Sequence, residues 1–567
     1  MSMQLNWWVV DALENVFPES VKPSHSSEHI ELWAAGNETE DVQVAISVPP
    51  TTKINKASFA FSPLTGPRNH TLGVECCRAF WEWYIYVLAN PLENTDPTTY
   101  LRKAPAFFPD AFLEEKEIPL RSGITQPVWI SIQVPTDTPA GTYQGNISFS
   151  FEGGADRKRI NVPIVLHVWP FCLPEKPSLH HTEWFFPDLL ANYYHLDIWS
   201  EDFWSWIERV AVDMAKHKQD MILTDFTKLV SVVQHNDGGL TFDFNKLDRW
   251  LTIFQKAGVE WIEGGHIAGG GGVVSPDIRF LRWSPLDVSG KPIDTSAGRM
   301  QESEFERYTK HLLKAVYAHL HGKGLAARYV QHIADEPNDA TQQKSWRRIS
   351  RKVKTWLPDV PRIDAMPATG MEGDIEIRVP LISNIHKLAH GKLPEQLWSY
   401  VCLAPQTIYP NRFLDYRSIR NRIIYWLSWS LRLKGFLHWG YNYWSVWGCP
   451  IKFPINPWTD STAGGIYHSY PLPAGDPHIV YPGKTSICSS IRWETIRKGF
   501  EDFEYLKMLD TAVTRLRKKS SPQIAKGEKL LSFVKTDIAN NPAHYTQDHM
   551  LLQSVRRQMG ESLARLV

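Results

Sequence analysis

The chain has 567 residues, with 61 Lys plus Arg against 61 Asp plus Glu. At roughly 100–200 residues per domain, that length implies two to four domains, or fewer if one is a barrel. The balanced charge gives no reason to expect nucleic acid or an anionic membrane as partner, and no run of about 18 apolar residues announces a membrane span. Aromatic residues are frequent, with 24 Trp, 20 Tyr and 25 Phe. Such a composition fits either stacking on sugar rings or the filling of a large core.

The opening "MSMQLNWWVVDALENVFPES" lacks the basic start and apolar centre of a signal peptide. The six cysteines form no C-x-x-C pair, so neither a zinc site nor a disulfide framework is expected. These features fit a cytoplasmic protein and leave open a mature secreted form.

Residues 1–172 carry β signals. "HIELWAAGNETEDVQVAISV" contains two strand-like runs around a turn-rich break, "GNETED". "QPVWISIQVPTDTPAGTYQGNISFSFEG" alternates with period two and breaks at "PTDTPAG", in the manner of a hairpin. "RINVPIVLHVW" adds a further strand. Short strands separated by Pro, Gly and Asp turns predict an N-terminal β-sandwich domain over 1–172. "PFCLPEKPSLH" then reads as a linker.

From residue 178 the pattern becomes alternating. Strand candidates "SLHHTEWFF", "DMILTDF", "VEWIEGGHI", "AARYVQHIADEP", "RIDAMPA", "VPLISNI", "LWSYVCL" and "FLHWGYNYW" are interspersed with helical runs such as "DFWSWIERVAVDMAKHKQ" and "QQKSWRRISRKVKTWLP". Strands alternating with helices imply a parallel sheet, and about eight repeats predict a (β/α)8 TIM-like barrel over 178–500. The remainder, 501–567, reads as a C-terminal helical segment packed on that barrel. The glycine cluster "GGHIAGGGGVV" lacks G-x-G-x-x-G spacing and a Walker lysine, so no nucleotide cofactor is expected.

In such a barrel, function sits at the C-terminal ends of the strands. The adjacent carboxylates Asp335 and Glu336 fall there, with no Lys or Arg close by in sequence. Other acidic pairs, in "ETED", "LEEK", "SEDF" and "FEDF", read as solvated. Candidate substrate-binding residues at the strand ends are His181, Glu183, Trp184, His332, Asn384, Trp398, Tyr400, Trp439, Tyr441, Asn442 and Trp444. His180 and His181 are adjacent on a strand and face opposite ways. No H-x-x-x-H spacing occurs, so no metal is expected. For "HWGYNYW", alternation sends inward either Trp439, Tyr441 and Tyr443 or His438, Gly440, Asn442 and Trp444.

"HIADEP", "GFLHWGYNYW", "GDPHIVYPG" and "SIRWETIRKGFEDFEYLKML", in that order, together with the N-terminal "FFPDAF … QPVWISIQVPTDTPAGTYQGNISF", resemble glycoside hydrolase family 123. The last motif contributes Arg492, Trp493, Glu494, Arg497, Gly499, Glu501, Asp502 and Tyr505. The resemblance implies a β-sandwich ahead of a (β/α)8 barrel, no cofactor, and an exo-acting β-N-acetylgalactosaminidase whose catalytic pair maps onto Asp335 and Glu336. It implies a carbohydrate substrate.

Neighbouring carboxyls on one strand end do not flank a sugar as the two acids of an ordinary retaining glycosidase do, about 5–5.5 Å apart. They can act together if the substrate's 2-acetamido oxygen is the nucleophile. Glu336 would then be the general acid and base, kept protonated by the charge beside it. Asp335 would orient the acetamide N–H, and Tyr441 or Tyr400 would donate to its oxygen. Two alternatives stay open. One is a two-carboxylate glycosidase of different specificity, pairing Glu336 with Glu183, Glu263 or Glu494. The other is a non-catalytic carbohydrate-binding protein.

Overall fold

Alternating apolar positions in the first 172 residues become paired strands. In the computed structural model, residues 4–90, 96–269, 277–295, 300–371, 373–388, 396–449, 453–464, 471–516 and 521–566 are described. The chain divides into two compact units. Unit 1 comprises Met1–Ser178, Gln406–Leu431 and Asn442–Val567; unit 2 comprises Leu179–Pro405 and Arg432–Tyr441.

Unit 1 begins with β1 (Asn6–Asp11), β2 (Ile30–Gly36), β3 (Glu38–Ser47), β4 (Ile54–Phe61), β5 (Cys77–Val87), β6 (Ala106–Phe112), β7 (Glu117–Leu120), β8 (Thr125–Val134), β9 (Gly141–Gly153) and β10 (Asp156–Cys172). An antiparallel sheet runs β1-β3-β8-β5-β6, and a second sheet runs β2-β10-β9-β4-β7 with two short strands beside β9. Val42, Val44 and Ile46 of the first sheet share one apolar cluster with Phe149, Phe151, Val162 and Ile164 of the second. Each set is spaced by two residues because alternate side chains of a strand point to the same face.

The stretch "PTDTPAG" is not a hairpin: β8 and β9 lie in different sheets, so this turn carries the chain from one layer to the other. The hairpin is β9–β10, in register from Gly153↔Asp156 back to Gly141↔Val168. The expected break at "GNETED" shrinks to one residue, Asn37, with φ +58°.

Unit 2 contains β11 (His180–Glu183), β12 (Met221–Thr224), β13 (Trp261–Gly264), β14 (Tyr329–His332), β15 (Arg362–Ala365), β16 (Ile377–Val379), β17 (Trp398–Tyr400) and β18 (Gly435–His438). They form two sheets, β11-β18-β17 and β12-β13-β14-β15-β16, and every pairing is parallel. Parallel bridges Arg378↔Leu397 and Leu381↔Tyr400 link β16 to β17. The Asp220 N–H donates to the His181 carbonyl at 3.3 Å, linking β11 to β12. These strands are three or four residues long and almost wholly buried, which is why they read as apolar runs rather than as alternation.

The helices of unit 2 include α1 (Glu201–Lys216), α2 (Asn245–Ala257), α3 (Glu302–Gly322) and α4 (Ala340–Trp356). Ser200 caps α1 by accepting from the Phe203 N–H, and Gly258 ends α2 in the left-handed region, φ +110°. Asp339 starts α4 with a capping box to Gln342, three residues after Glu336. Among the described residues no helix separates β15 from β16, so the βα alternation is irregular there. Part of the glycine cluster, residues 270–276, lies outside the described residues.

The division differs from the boundaries 178–500 and 501–567 expected from sequence. Helices α5 (Ser418–Ser430), α6 (Ile491–Leu516), α7 (Pro522–Phe533) and α8 (His549–Leu566) all belong to unit 1. Buried charge is the reason. Lys498 of α6 bonds Glu38 and Glu40 of β3, and Arg497 reaches Asp41 at 2.5 Å. Arg492 holds Asp110 of β6 with two hydrogen bonds of 2.9 and 3.0 Å. Asp502 takes Arg422 of α5 at 2.6 Å and Arg556 of α8 at 2.9 Å.

The acidic runs "ETED" and "FEDF", expected to be solvated, are therefore core: Glu38, Asp41, Glu501 and Asp502 are all buried. Gly499 lets α5 approach, since a Cβ there would stand 2.1 Å from the Tyr425 ring. The most distinctive motif of the chain thus serves as an internal ionic lock. Among the described residues, no helix is long and apolar enough to cross a membrane.

Candidate active site

Asp335 and Glu336 follow β14 where the strand gives way to α4. Two neighbouring strands or their extensions hold that turn. The Glu336 N–H donates to the Ala365 carbonyl of β15 at 3.1 Å. The Ile333 and Ala334 N–H groups donate to the Asp364 carboxylate at 3.1–3.2 Å. The Ile333 carbonyl accepts from Ala268, beyond β13, at 2.9 Å.

Glu336 itself has φ +44°. A left-handed backbone at a non-glycine residue costs on the order of 1–3 kcal/mol, and the following Pro337 favours extended geometry at that position. The surrounding hydrogen bonds over-determine this strained conformation.

The Tyr400 hydroxyl, at the end of β17, donates to Glu336 Oε1. Burial first and the Glu336 charge second hold the Tyr400 hydroxyl well above its ordinary value, so it remains a donor. Asp335 is exposed, yet its carboxyl is pushed up to about 8, by surrounding protein first, then by the charges of Glu336 and Asp364, with His332 opposing. Because this side chain still meets solvent, the two neighbouring carboxylates are the more durable part of that effect. The expected retention of a proton through mutual repulsion thus falls on Asp335.

Beneath the pair lies a charged trio. His332 Nδ1–H donates to Asp364 Oδ1 at 2.7 Å and Nε2–H to Glu263 Oε1 at 2.5 Å, and all three side chains are fully buried. Burial alone would lower the imidazole, but the hydrogen bonds to Asp364 and Glu263 outweigh it and raise His332 to about 10. Glu263 also accepts from the Trp184 indole at 3.0 Å and from the Thr182 hydroxyl. Asp364 also accepts from the Trp346 indole at 2.8 Å.

His266, following β13, has its ring 4.5 Å from that of His332. Burial and the His332 charge push it well below its ordinary value, so it is neutral. His266, His332 and Asp364 bring ligand-type atoms within 4.8 Å of one another. Both ring nitrogens of His332 already face carboxylates, so an ion there would have to displace Glu263 or Asp364.

Several expected site residues lie elsewhere. His181 and Glu183 alternate to the face opposite Thr182 and Trp184, where Glu183 contacts His181 at 3.3 Å and His438 at 3.7 Å. Tyr441 is fully buried, its hydroxyl donating to Asp213 of α1 at 2.7 Å. It therefore does not present a donor to a sugar. Asn442 and Trp444 belong to unit 1 and are fully buried there, with the Trp444 indole on the Val480 carbonyl at 3.3 Å. His332 is committed to two carboxylates and is unavailable to a ligand.

Trp184, Trp398, Tyr400 and the half-buried Trp439 join one apolar cluster inside unit 2. Of the two alternation sets proposed for "HWGYNYW", Trp439 faces this cluster. The strand ends at His438, so alternation does not carry on to Tyr441. Trp398 is fully buried and stacks on His180, with centroids 5.4 Å apart, so it packs the interior. Asn384 is half-buried on a short 3-10 turn after β16.

Asp364 was missed at the sequence level. The available signal was an acid inside "RIDA", a strand buried on both faces, where a charge requires a partner.

A family model described as "Glycoside hydrolase 123, catalytic domain" matches residues 184–509, and "Glycoside hydrolase 123 N-terminal domain" matches residues 17–150. A search of curated proteins found no match. Among solved structures, a family 123 glycoside hydrolase from Clostridium perfringens, described for glycolipid glycan hydrolysis, aligns over 99% of both chains at 14% identity and TM-score 0.71. It has the same fold. A glycoside hydrolase family 2 β-galacturonidase from Eisenbergiella tayi aligns over 81% of this chain and 69% of its own, at 8% identity and TM-score 0.31.

Proposed function

Since the chain belongs to glycoside hydrolase family 123 and is a glycoside hydrolase acting on a carbohydrate, we propose that it releases terminal β-linked N-acetylgalactosamine from glycoconjugates by a retaining, substrate-assisted route. The observation that carries this reading is the Asp335–Glu336 turn, with Tyr400 donating to Glu336. In the proposed reaction, the acetamide oxygen attacks the anomeric carbon while the bond to the leaving oxygen breaks. Glu336 protonates that oxygen, and an oxazolinium ring forms. Water then opens the ring, giving its proton to Glu336.

Asp335 accepts the acetamide N–H. That contact favours its ionised form, so on binding the proton Asp335 holds in the free enzyme passes to Glu336, which then serves as the acid. The Tyr400 hydroxyl fixes one Glu336 oxygen and leaves the other to face the glycosidic bond. We also read the eight parallel strands as a (β/α)8 barrel behind a β-sandwich, supported by the links from β16 to β17 and from β11 to β12.

The alternative two-carboxylate mechanism needs a second free acid. Glu183 faces histidines away from the pair and Glu263 accepts three hydrogen bonds, which favours the assisted route. The test is a panel of nitrophenyl β-glycosides of N-acetylgalactosamine, N-acetylglucosamine, galactose and glucose. Turnover confined to the 2-acetamido sugars, with the galacto form fastest, is expected, as is strong inhibition by a thiazoline analogue of the bicyclic intermediate. Equal turnover of the parent hexosides would overturn the proposal.

A further inference from the structure

We infer that His332 is a positioning residue: its imidazolium clamps Glu263 and Asp364 together beneath the Asp335–Glu336 turn, and in doing so both shapes that turn and supplies the positive charge under Asp335. The kinetic arm of this inference rests on the glycosidase reading above; the spectroscopic arm does not.

The protonation state follows from geometry. The two ring nitrogens lie 2.7 and 2.5 Å from carboxylate oxygens of Asp364 and Glu263. An ionised carboxylate only accepts, so each nitrogen must carry a proton. Burial raises the Asp364 carboxyl, and its bonds from His332 and Trp346 oppose that rise; the donors gathered on both acids assign the shared protons to the ring. Asp364 accepts from Ile333, Ala334 and Trp346 as well, and Glu263 accepts from Thr182 and Trp184. Donors gathered on a carboxylate favour its charged form. The raised value of His332, about 10, agrees.

The clamp then acts along the chain. Asp364, held by His332, grips the backbone of Ile333 and Ala334, the two residues immediately before Asp335. Glu263, held from the other side, ties in β11 through Thr182 and Trp184. One imidazolium thus connects four strands, β11, β13, β14 and β15, and fixes where the reacting pair emerges.

The charged and titratable groups facing His332 are Glu263 from β13, His266 beyond it, Asp364 from β15, and Asp335 and Glu336 on its own strand extension. Four of these five are acids, and the fifth, His266, is held neutral. Without the imidazolium, negative charge beneath Asp335 is uncompensated, and Asp335 binds its proton more tightly.

The first test uses the unmodified protein labelled with 15N-histidine. At mildly alkaline pH, His332 is expected to show both ring nitrogens protonated while solvent-exposed histidines have become neutral. Its signal is identified by its disappearance in His332→Gln or, should that variant not fold, by contacts to the Trp184 ring, whose centroid lies 5.6 Å away. A singly protonated His332 overturns the inference, whatever the enzyme cleaves.

The second test is the pH profile of His332→Gln on the nitrophenyl amino-sugar substrate. We expect kcat to fall roughly a hundredfold, as for a small misplacement of reacting groups, with KM little changed. The acid limb should move up by about one pH unit or more. Unchanged kcat and an unmoved limb overturn the inference. A wild-type enzyme that cleaves no glycoside overturns the proposed function instead and leaves the labelling result decisive.

Discussion

Tyr400 donates its hydroxyl proton to Glu336 Oε1, joining the end of β17 to the turn that follows β14. A hydrogen bond to the neutral acid contributes about 0.5–1.5 kcal/mol, so Tyr400→Phe is expected to lower kcat roughly 2- to 10-fold. Melting temperature and KM should move little. Steady-state kinetics on the amino-sugar substrate checks this; an unchanged kcat would show that the contact does not orient Glu336.

Glu336→Gln is expected to lose about 10²–10⁴ in rate by removing proton transfer. Glu336→Gly should be inactive as well, yet more stable by about 1 kcal/mol than Glu336→Ala, which loses the same Tyr400 contact. Glycine relieves the left-handed strain of about 1–3 kcal/mol and gives back about 0.5–1 kcal/mol in chain entropy. Urea melts of the glycine and alanine variants measure the difference. A glycine variant no more stable than the alanine one would mean the φ of +44° is unstrained.

Glu82 of β5 is wholly buried, and neither carboxyl oxygen has a partner among the described residues. Burial, then the charge of Asp110, holds its carboxyl well above the ordinary range. The folded value lies above the unfolded one. Its contribution is therefore complete below the unfolded value of about 4.5 and fades as pH rises toward the folded value. Glu82→Met should stabilise the protein by about 1–3 kcal/mol at neutral pH, the size of one unsatisfied buried polar group. It should also flatten the decline of stability with alkaline pH. Thermal midpoints across a pH series read both effects.

Lys498 of α6 neutralises Glu38 and Glu40 together with Arg556 of α8. Lys498→Met leaves both carboxylates to Arg556 and is expected to cost about 3–5 kcal/mol. Combining it with Glu40→Gln should recover part of that loss, because one of the two charges is removed. Chemical denaturation of the single and double variants tests the coupling. Strictly additive losses would show that the two residues do not interact.

Much of the architecture could be read because it is local. The proline-rich linker before residue 178 coincides with a unit boundary, and seven of the eight short runs hold strands, while "VPLISNI" meets its strand only at Val379 and runs on into a 3-10 turn. Asp335 and Glu336 stood out because a strand ended in acids with no basic residue nearby. What escaped was non-local. "ETED" looks like a solvated turn until Lys498 and Arg556, far along the chain, are brought to it. Asp364 looks like an ordinary strand residue until His332 is placed beside it. Tyr441 was misassigned because alternation was extended past His438, where the strand had already ended.

The ionic lock has a consequence for biosynthesis. Glu38 and Arg556 are 518 positions apart yet bonded in the same buried network. A nascent chain carrying only the N-terminal layers would have to bury Glu38, Glu40 and Asp41 without their cations or keep that face hydrated. The first sheets to leave the ribosome would therefore wait, incompletely closed, until the last helix is synthesised. Premature release upstream of α8 would yield a product that chaperones and proteases recognise as unfinished.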